Sequence, residues 1–394
     1  MKSVMISLGI IALSTGCSVM GSSGEEGSQG SGEWEHPDYD STLIVSNISE
    51  LLDAVEYANA NRNVEILLED GTYQLDGMLW IDGYNVGFRG YSGDYVAVVI
   101  RGEGMTGGVS HVFNVPGDYF AVQDMTIGWI SNHAVQIHGN SDADYPYFNN
   151  VRFVDTGEQM LKISTDFSSN YSDNGIVENC RFEYSAGIGP QYYIGGVDGH
   201  QCRNWTIRDC YFYGIRSPGS DLAEHAIHFW SESEGTVVER NRISECDRGI
   251  GFGMGDSGHG DGIIRNNFVH TTRDVGIGLE NASGVDVYNN SLYTENYVNS
   301  IEYRFSGTSG GEIINNLANG AIVSRDGGSA TLASNVTSAE SSWFMDADSG
   351  DLHLTSSASG VVDAGQTLSD VTLDYDSEAR PSGSAFDIGG DEVY

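Results

Sequence analysis

Lysine is nearly missing from this chain of 394 residues: Lys2 stands at its start, and Lys162 is the only other one. Positive charge of any kind is scarce, with 18 Lys and Arg against 56 Asp and Glu and a formal net charge of -38. Such a surface repels other polyanions at long range, so general attraction to nucleic acid or to an anionic membrane is excluded. A saline surrounding, which screens the repulsion, explains the acidic excess without a special function. Long apolar runs are missing too: beyond the first residues no segment is apolar enough to cross a bilayer. Cysteine is sparse, and the four that follow Cys17, namely Cys180, Cys202, Cys210 and Cys246, show no metal-site spacing. Cys180 and Cys210 occupy the same place in consecutive repeats, which sets their side chains parallel about 4.8 Å apart, a poor geometry for a disulfide. A stacked pair of thiols is expected there.

What is present begins with an export signature over residues 1 to 17. Lys2 supplies a positive start, Val4 to Leu13 an apolar stretch too short to span a bilayer, and Ser14-Thr15-Gly16-Cys17 a small-residue end. That end resembles a bacterial lipoprotein processing site. The likeness implies acylation of Cys17 and a secreted protein held by a lipid anchor at an outer membrane or cell surface; a plain signal peptide is the alternative. Residues 18 to 40 read as a flexible linker, because Ser18 to Glu35 is Gly, Ser and Glu with almost nothing to bury. Residues 41 to 394 form one domain.

That domain is built of repeats. A short pattern recurs as Val177-Glu-Asn-Cys-Arg-Phe182, Ile207-Arg-Asp-Cys-Tyr-Phe212, Val238-Glu-Arg-Asn-Arg-Ile243, Ile264-Arg-Asn-Asn-Phe-Val269 and Val287-Tyr-Asn-Asn-Ser-Leu292. A second set of strands follows these, and eight rows of it align: His133–His138, Gln159–Ser164, Gly195–His200, His225–Trp230, Arg248–Gly253, Val275–Glu280, Asn299–Arg304 and Gly320–Arg325. The third residue of each row is apolar and the fifth usually so, the period of a strand with one buried face. Short strands, variable turns and Asn or Asp at matching places describe coils stacked into a solenoid, with the asparagines laddering where the chain bends. Leucine-rich repeats would need denser leucine, and a propeller about forty residues per blade.

The fold class is therefore all-β, a single-stranded parallel β-helix. Asn47 to Ala60 reads as an amphipathic helix whose Ile48, Leu51, Leu52, Val55 and Ala58 cover the open end of the first coil. Val64-Glu-Ile-Leu-Leu-Glu-Asp-Gly-Thr-Tyr73 and Val98-Val-Ile-Arg-Gly-Glu-Gly104 come next. A helix, a strand ending in Gly-Thr-Tyr and a strand ending in Arg-Gly resemble the opening of the pectate-lyase-like superfamily of right-handed parallel β-helices. The likeness spans nearly all of the chain after the linker, and it implies a fold and not a reaction. The tail from Asp374-Tyr-Asp through Arg380-Pro-Ser-Gly to Asp387-Ile-Gly-Gly-Asp-Glu392 is similar to the ends of exported β-helix proteins and reads as a closing cap. Within it Asp374, Asp376 and Asp387 are candidate calcium ligands, set against a purely structural reading. No other cofactor is indicated.

In each row the fourth and sixth residues point outward, and stacking sets them in columns. The fourth-position column runs Gln136, Lys162, Asp198, His228, Gly251, Gly278, Glu302, Val323; the sixth-position column runs His138, Ser164, His200, Trp230, Gly253, Glu280, Arg304, Arg325. Lys162 thus stands beside Asp198 with His228 beyond. His133, His138, His200, His225 and His228, half of the ten histidines, fall in the first four rows. Glycines at 249, 251, 253, 276 and 278 leave the next two rows without outward side chains. They form either a bare floor for a sugar chain, walled by Trp230 on one side and by Glu302 with Arg304 on the other, or the seat of the loop over residues 256 to 261. The Gly258-His259-Gly260 triplet lacks the aspartate motifs that accompany it in polygalacturonases and is set aside.

Adjacent coils lie about 4.8 Å apart, so Lys162, Asp198 and His228 are neighbours in file, while Asp198 and Glu302 stand about 19 Å apart. A glycosidase needs two carboxylates within roughly 5 to 10 Å; only Glu280 with Glu302 makes such a pair, away from the histidines. β-Elimination on a uronic acid polysaccharide such as alginate or a glycosaminoglycan asks for a base at C5, a cation or donor for the sugar carboxylate, and an acid for the leaving oxygen. Lys162 is the candidate base, His200 or His228 the acid, and the remaining histidine with Arg248 or Arg304 the carboxylate binders; Asp198, His138, His225, Trp230 and Glu302 complete the binding face. The arrangement is similar to the chondroitinase B and alginate lyase family. That likeness implies a lysine on one coil working with an arginine on the next, and calcium at the substrate carboxylate. His200 stands where that arginine is expected, and Arg203 is three residues on. The expected partner is an anionic polysaccharide, met by a monomer. Beside this reading stand a β-helix glycoside hydrolase, a non-catalytic sugar-binding surface protein, and Lys162 with Asp198 as a plain surface ion pair.

Overall fold

The computed structural model describes residues 37–393. The residues read as an export signal, the lipidation candidate Cys17, and the stretch read as a linker as far as residue 36 lie outside them. From Ser41 onward short strands pair in parallel with a strand of the next coil, and the one antiparallel strand pair among the described residues, Phe344–Asp346 with Asp351–Leu354, belongs to the cap. Ten strands, from Leu79–Trp80 to Ala321–Arg325, form one parallel sheet, and the other coil strands join a 22-stranded sheet. The molecule is a parallel β-solenoid.

The eight rows pair in the register that their alternation requires. Gln136 lies against Lys162, Lys162 against Asp198, Asp198 against His228, His228 against Gly251, Gly251 against Gly278, Gly278 against Glu302, and Glu302 against Val323. Two more rows precede them, with Trp80 against Asn114 and Asn114 against Gln136. Their strands, Leu79–Trp80 and Phe113–Val115, have two and three residues, too few to display a period. Third-position residues such as Leu161, Val197, Ile227 and Ile250 are fully buried in the core.

The bends follow from the Asn-rich pattern. Asn179, Asp209, Asn266, Asn289 and Asn315 adopt left-handed backbone with φ of 55°, 56°, 53°, 50° and 59°, a conformation that Asn and Asp tolerate best after glycine. The next position carries the ladder: Asn241, Asn267, Asn290 and Asn316 each donate Nδ2–H to the Oδ1 of the following Asn, ending on Asn335, at 3.0, 2.9, 3.0 and 3.0 Å. Each of those oxygens also accepts a backbone N–H. Asn290→Ala strands the buried Asn267 N–H and takes one acceptor from its Nδ2, which keeps the Val238 carbonyl oxygen, and is expected to cost about 2 kcal/mol, read as a lower urea midpoint. Cys180 and Cys210 fill the ladder position in the two coils before Asn241, where the Cys180 N–H donates to Cys210 Sγ at 3.4 Å; all four described cysteines are free and buried.

Helix Ile48–Ala60 closes the first coil. Asn47 accepts the Glu50 N–H, and the Glu50 carboxylate accepts the Ser46 N–H at 2.8 Å, a reciprocal cap. Leu51, Ala54, Val55 and Ala58 are buried, whereas Leu52 is 44% exposed. One residue is a turn of about 100°, which carries Leu52 off the buried stripe and gives its place to Ala54. At the other end Arg380 is buried against Glu392 at 2.6 Å. The carboxylates of Asp374 and Asp387 accept backbone N–H groups of the cap, and Asp376 faces His353 at 3.0 Å.

Candidate active site

Three consecutive coils of the ten-stranded sheet bring together Lys162, Asp198 with His200, and His228 with Trp230. Lys162 is 8% exposed and Asp198 3%. The ammonium forms a hydrogen-bonded ion pair with Asp198 and lies 2.6 Å from His200 Nε2. The other carboxylate oxygen of Asp198 accepts the indole N–H of Trp230 at 2.9 Å and faces His228 Nδ1 at 3.7 Å. Burial by itself would push the Asp198 carboxyl up; the charge of Lys162, with His200 and His228, outweighs it and holds the group well below the usual carboxylate range. Asp198 therefore stays ionised and fixes the position of the lysine nitrogen. His200 Nδ1 lies 3.2 Å from Ser231 Oγ, and its ring sits 4.3 Å from that of Trp230.

His228 lies beneath this surface. It is 2% exposed and stacks on Trp230, the rings 5.4 Å apart and within 3° of parallel. Its Nε2 is 3.2 Å from the Gly253 carbonyl oxygen, which can only accept, so the ring proton is assigned to Nε2. Burial pushes its pKa down to about 4. A neutral, enclosed imidazole of this kind does not meet solvent, and its unprotonated Nδ1 gives Asp198 no hydrogen bond.

The glycine floor is occupied. The His225 ring lies over it, for a Cβ on Gly251 would stand 2.7 Å from that ring and one on Gly278 3.4 Å from its Nε2. Gly251 and Gly278 thus make room for a histidine and do not form a bare sugar floor, while a Cβ on Gly253 would stand 3.4 Å from Gly258 of the loop over residues 256 to 261. His138 bonds Asn114 and packs 5.5 Å from Trp80, whose side chain is 43% exposed. His133 is buried against the Gln159 carbonyl at 2.8 Å. His259 is a core residue, stacked on Phe252 at 4.1 Å.

Glu302 and Arg304 are not brought to Lys162. Glu302 accepts from Tyr297, Asn299 and Arg325 at 2.6, 2.7 and 2.9 Å, and Arg304 pairs with Glu280 at 2.8 Å and Asp326 at 2.9 Å. Arg248 stands in register with His225, its guanidinium 3.3 Å from Asp274.

No protein-family model matches the sequence, and no curated protein matches it either. Among solved structures, pectate lyase Pel9A superposes with a TM-score of 0.62 over 86% of this chain and 90% of its own, at 18% identity. The fold is that of a pectate-lyase-like β-helix. Alginate lyase from Paenibacillus sp. str. FPU-7 gives a TM-score of 0.44 over 65% of this chain and 94% of that one, at 13% identity. The PL6 family alginate lyase AlyGC gives 0.37 over 75% and 51%, at 16% identity.

Calcium, which the chondroitinase B and alginate lyase resemblance implies, does not fit this part of the β-helix. A hard cation takes six to eight oxygens, whereas here Asp198 is committed to Lys162 and Trp230, and the neighbouring carboxylate, Glu224, is set among imidazoles. Glu224 is the residue that column reading misses: its Oε2 lies 4.0 Å from His228 Nδ1, and burial raises its pKa. The spacing Glu224-His225-x-x-His228 is the signal that could have found it. Ser231 carries no comparable pattern.

Burial lowers the pKa of His133 to about 3, of His228 to about 4 and of His259 to about 3. An unfolded imidazole takes its proton near ~6.5, so below that pH the unfolded chain binds protons that these folded sites refuse. Each site then loses stability at about 1.4 kcal/mol per pH unit, down to its own folded value. In a proton NMR titration the three ring Cε1–H signals are expected to hold neutral-ring positions through about pH 5. A midpoint near the free value in the folded protein would contradict this.

Proposed function

We propose that this β-helix is a polysaccharide lyase that cleaves an anionic, uronic-acid-containing polysaccharide by β-elimination on its ten-stranded face. The observation that carries the reading is the 2.6 Å contact between Lys162 Nζ and His200 Nε2, backed by a buried Asp198. Elimination takes a proton from C5 and returns one to the oxygen leaving the adjacent C4, so an acid and a base working from one side of the sugar must lie side by side. Lys162 and His200 share one proton between them. With that proton on His200, Lys162 takes the C5 proton, the C4–O bond breaks as the C4–C5 double bond forms, and His200 protonates the leaving oxygen. The pair ends with one proton, now on Lys162, and resets by transfer across the same contact. Asp198 positions the lysine nitrogen, and the Trp230 indole N–H positions Asp198. Hydrolysis by two carboxylates fits less well, because Glu280 and Glu302 are engaged by Arg304 and Arg325.

Incubation with pectate, alginate, hyaluronan and chondroitin is the deciding measurement. Absorbance at about 235 nm, from the unsaturated uronate that elimination leaves, is expected to rise with one of them. New reducing ends without that band would make the protein a hydrolase, and binding without products a sugar-binding surface protein. Trp80 stands in the same file as Lys162, three coils earlier, and its exposed indole offers a sugar-stacking surface. Trp80→Ala is expected to raise KM about fivefold with kcat nearly unchanged, in the same absorbance assay.

A further inference from the structure

One coil beyond Asp198, Glu224, His225 and His228 each offer a ligand atom, and the three atoms lie within 4.8 Å of one another. We propose that these three residues bind a late first-row divalent cation of the zinc class. His225 Nδ1 is shut off from solvent and has no hydrogen-bond partner, and a buried polar nitrogen left unpaired calls for an occupant. His228 carries its proton on Nε2, toward Gly253, so its Nδ1 presents a lone pair. That lone pair faces Glu224 Oε2 at 4.0 Å and Asp198 Oδ1 at 3.7 Å. A lone pair opposite two carboxylate oxygens is repelled, and a cation among them reverses the sign of each interaction. The bond from Nε2–H to a backbone carbonyl is also the outer contact that metal-ligating histidines make, fixing tautomer and ring orientation.

Donor chemistry selects the ion. Two imidazoles and one carboxylate suit zinc or cobalt, whereas calcium and magnesium demand more oxygens. Tetrahedral bonds of about 2.1 Å set ligand atoms about 3.4 Å apart. Glu224, whose side chain is 19% exposed at the rim, can close from 4.0 Å. Three protein ligands leave the fourth position to water or to an incoming oxygen.

The test uses the full chain, cleared of metal by chelation and titrated with Zn²⁺ alone, then with Co²⁺ alone. One zinc per chain and a visible cobalt band typical of four-coordinate sites are expected. Glu224→Gln is expected to weaken Zn²⁺ at least tenfold, and His225→Ala to abolish the cobalt band; thermal melts of both variants separate lost binding from lost folding. Failure to bind Zn²⁺, calcium competing on equal terms, or unchanged affinity in two folded variants overturns the assignment, the last by placing the ion at the cap cluster of His353, Asp376 and Asp391. Because the readout is binding, failure here leaves elimination by Lys162 and His200 standing, and failure of elimination leaves the metal site standing.

Discussion

Lys162→Arg is expected to leave the fold intact and to lower kcat of the proposed elimination by about 10³-fold. Arginine keeps the positive charge with which Asp198 pairs, so the buried carboxylate is not stranded. A guanidinium, however, does not release its proton near neutral pH. The substitution therefore removes the proposed base while retaining a cation, and separates the two roles proposed for Lys162. Circular dichroism melts establish the fold, and the absorbance assay for unsaturated uronate gives kcat. A variant that still turns over at the wild-type rate would show that Lys162 supplies charge alone and that the C5 base lies elsewhere.

Asp198→Ala is expected to cost about 4 kcal/mol of stability. The change leaves the Lys162 ammonium, 8% exposed, without its counter-ion, and takes the acceptor from the Trp230 indole. Breaking a buried pair from one side is costly because the surviving charge stays desolvated, whereas removing both partners strands no charge and leaves only the Trp230 indole without its acceptor. The double variant Lys162→Met with Asp198→Ala should thus regain much of the loss. Urea denaturation of the three proteins measures the difference. If Asp198→Ala unfolds at the wild-type midpoint, the pair contributes no more than an exposed one, and Asp198 does not hold the lysine in place.

The neighbours of Lys162 were legible in the sequence for a geometrical reason. Side chains along a strand alternate with a period of two, and coils stack at a constant spacing, so equal positions in aligned rows fall into file. Lys162, Asp198 and His228 follow from that arithmetic, as do the asparagine ladder and the stacked thiols of Cys180 and Cys210. The same arithmetic says nothing about depth. His228 and His225 occupy edge or outward positions by alternation, yet one lies under Trp230 and the other over Gly251 and Gly278. Leu52 shows the limit on the helix, where a residue next to the apolar stripe turned out to face solvent.

By itself, then, the amino-acid order determined the parallel β-helix and the register of the sheet that carries Lys162, because both arise from periodicity repeated over many coils. Only the tertiary structure decided that Lys162 meets His200 as well as Asp198, and that Glu302 and Arg304 are occupied elsewhere. Those outcomes depend on rotamers and burial set by side chains from several coils at once, together with the turns between rows, and no local pattern in the chain encodes that sum.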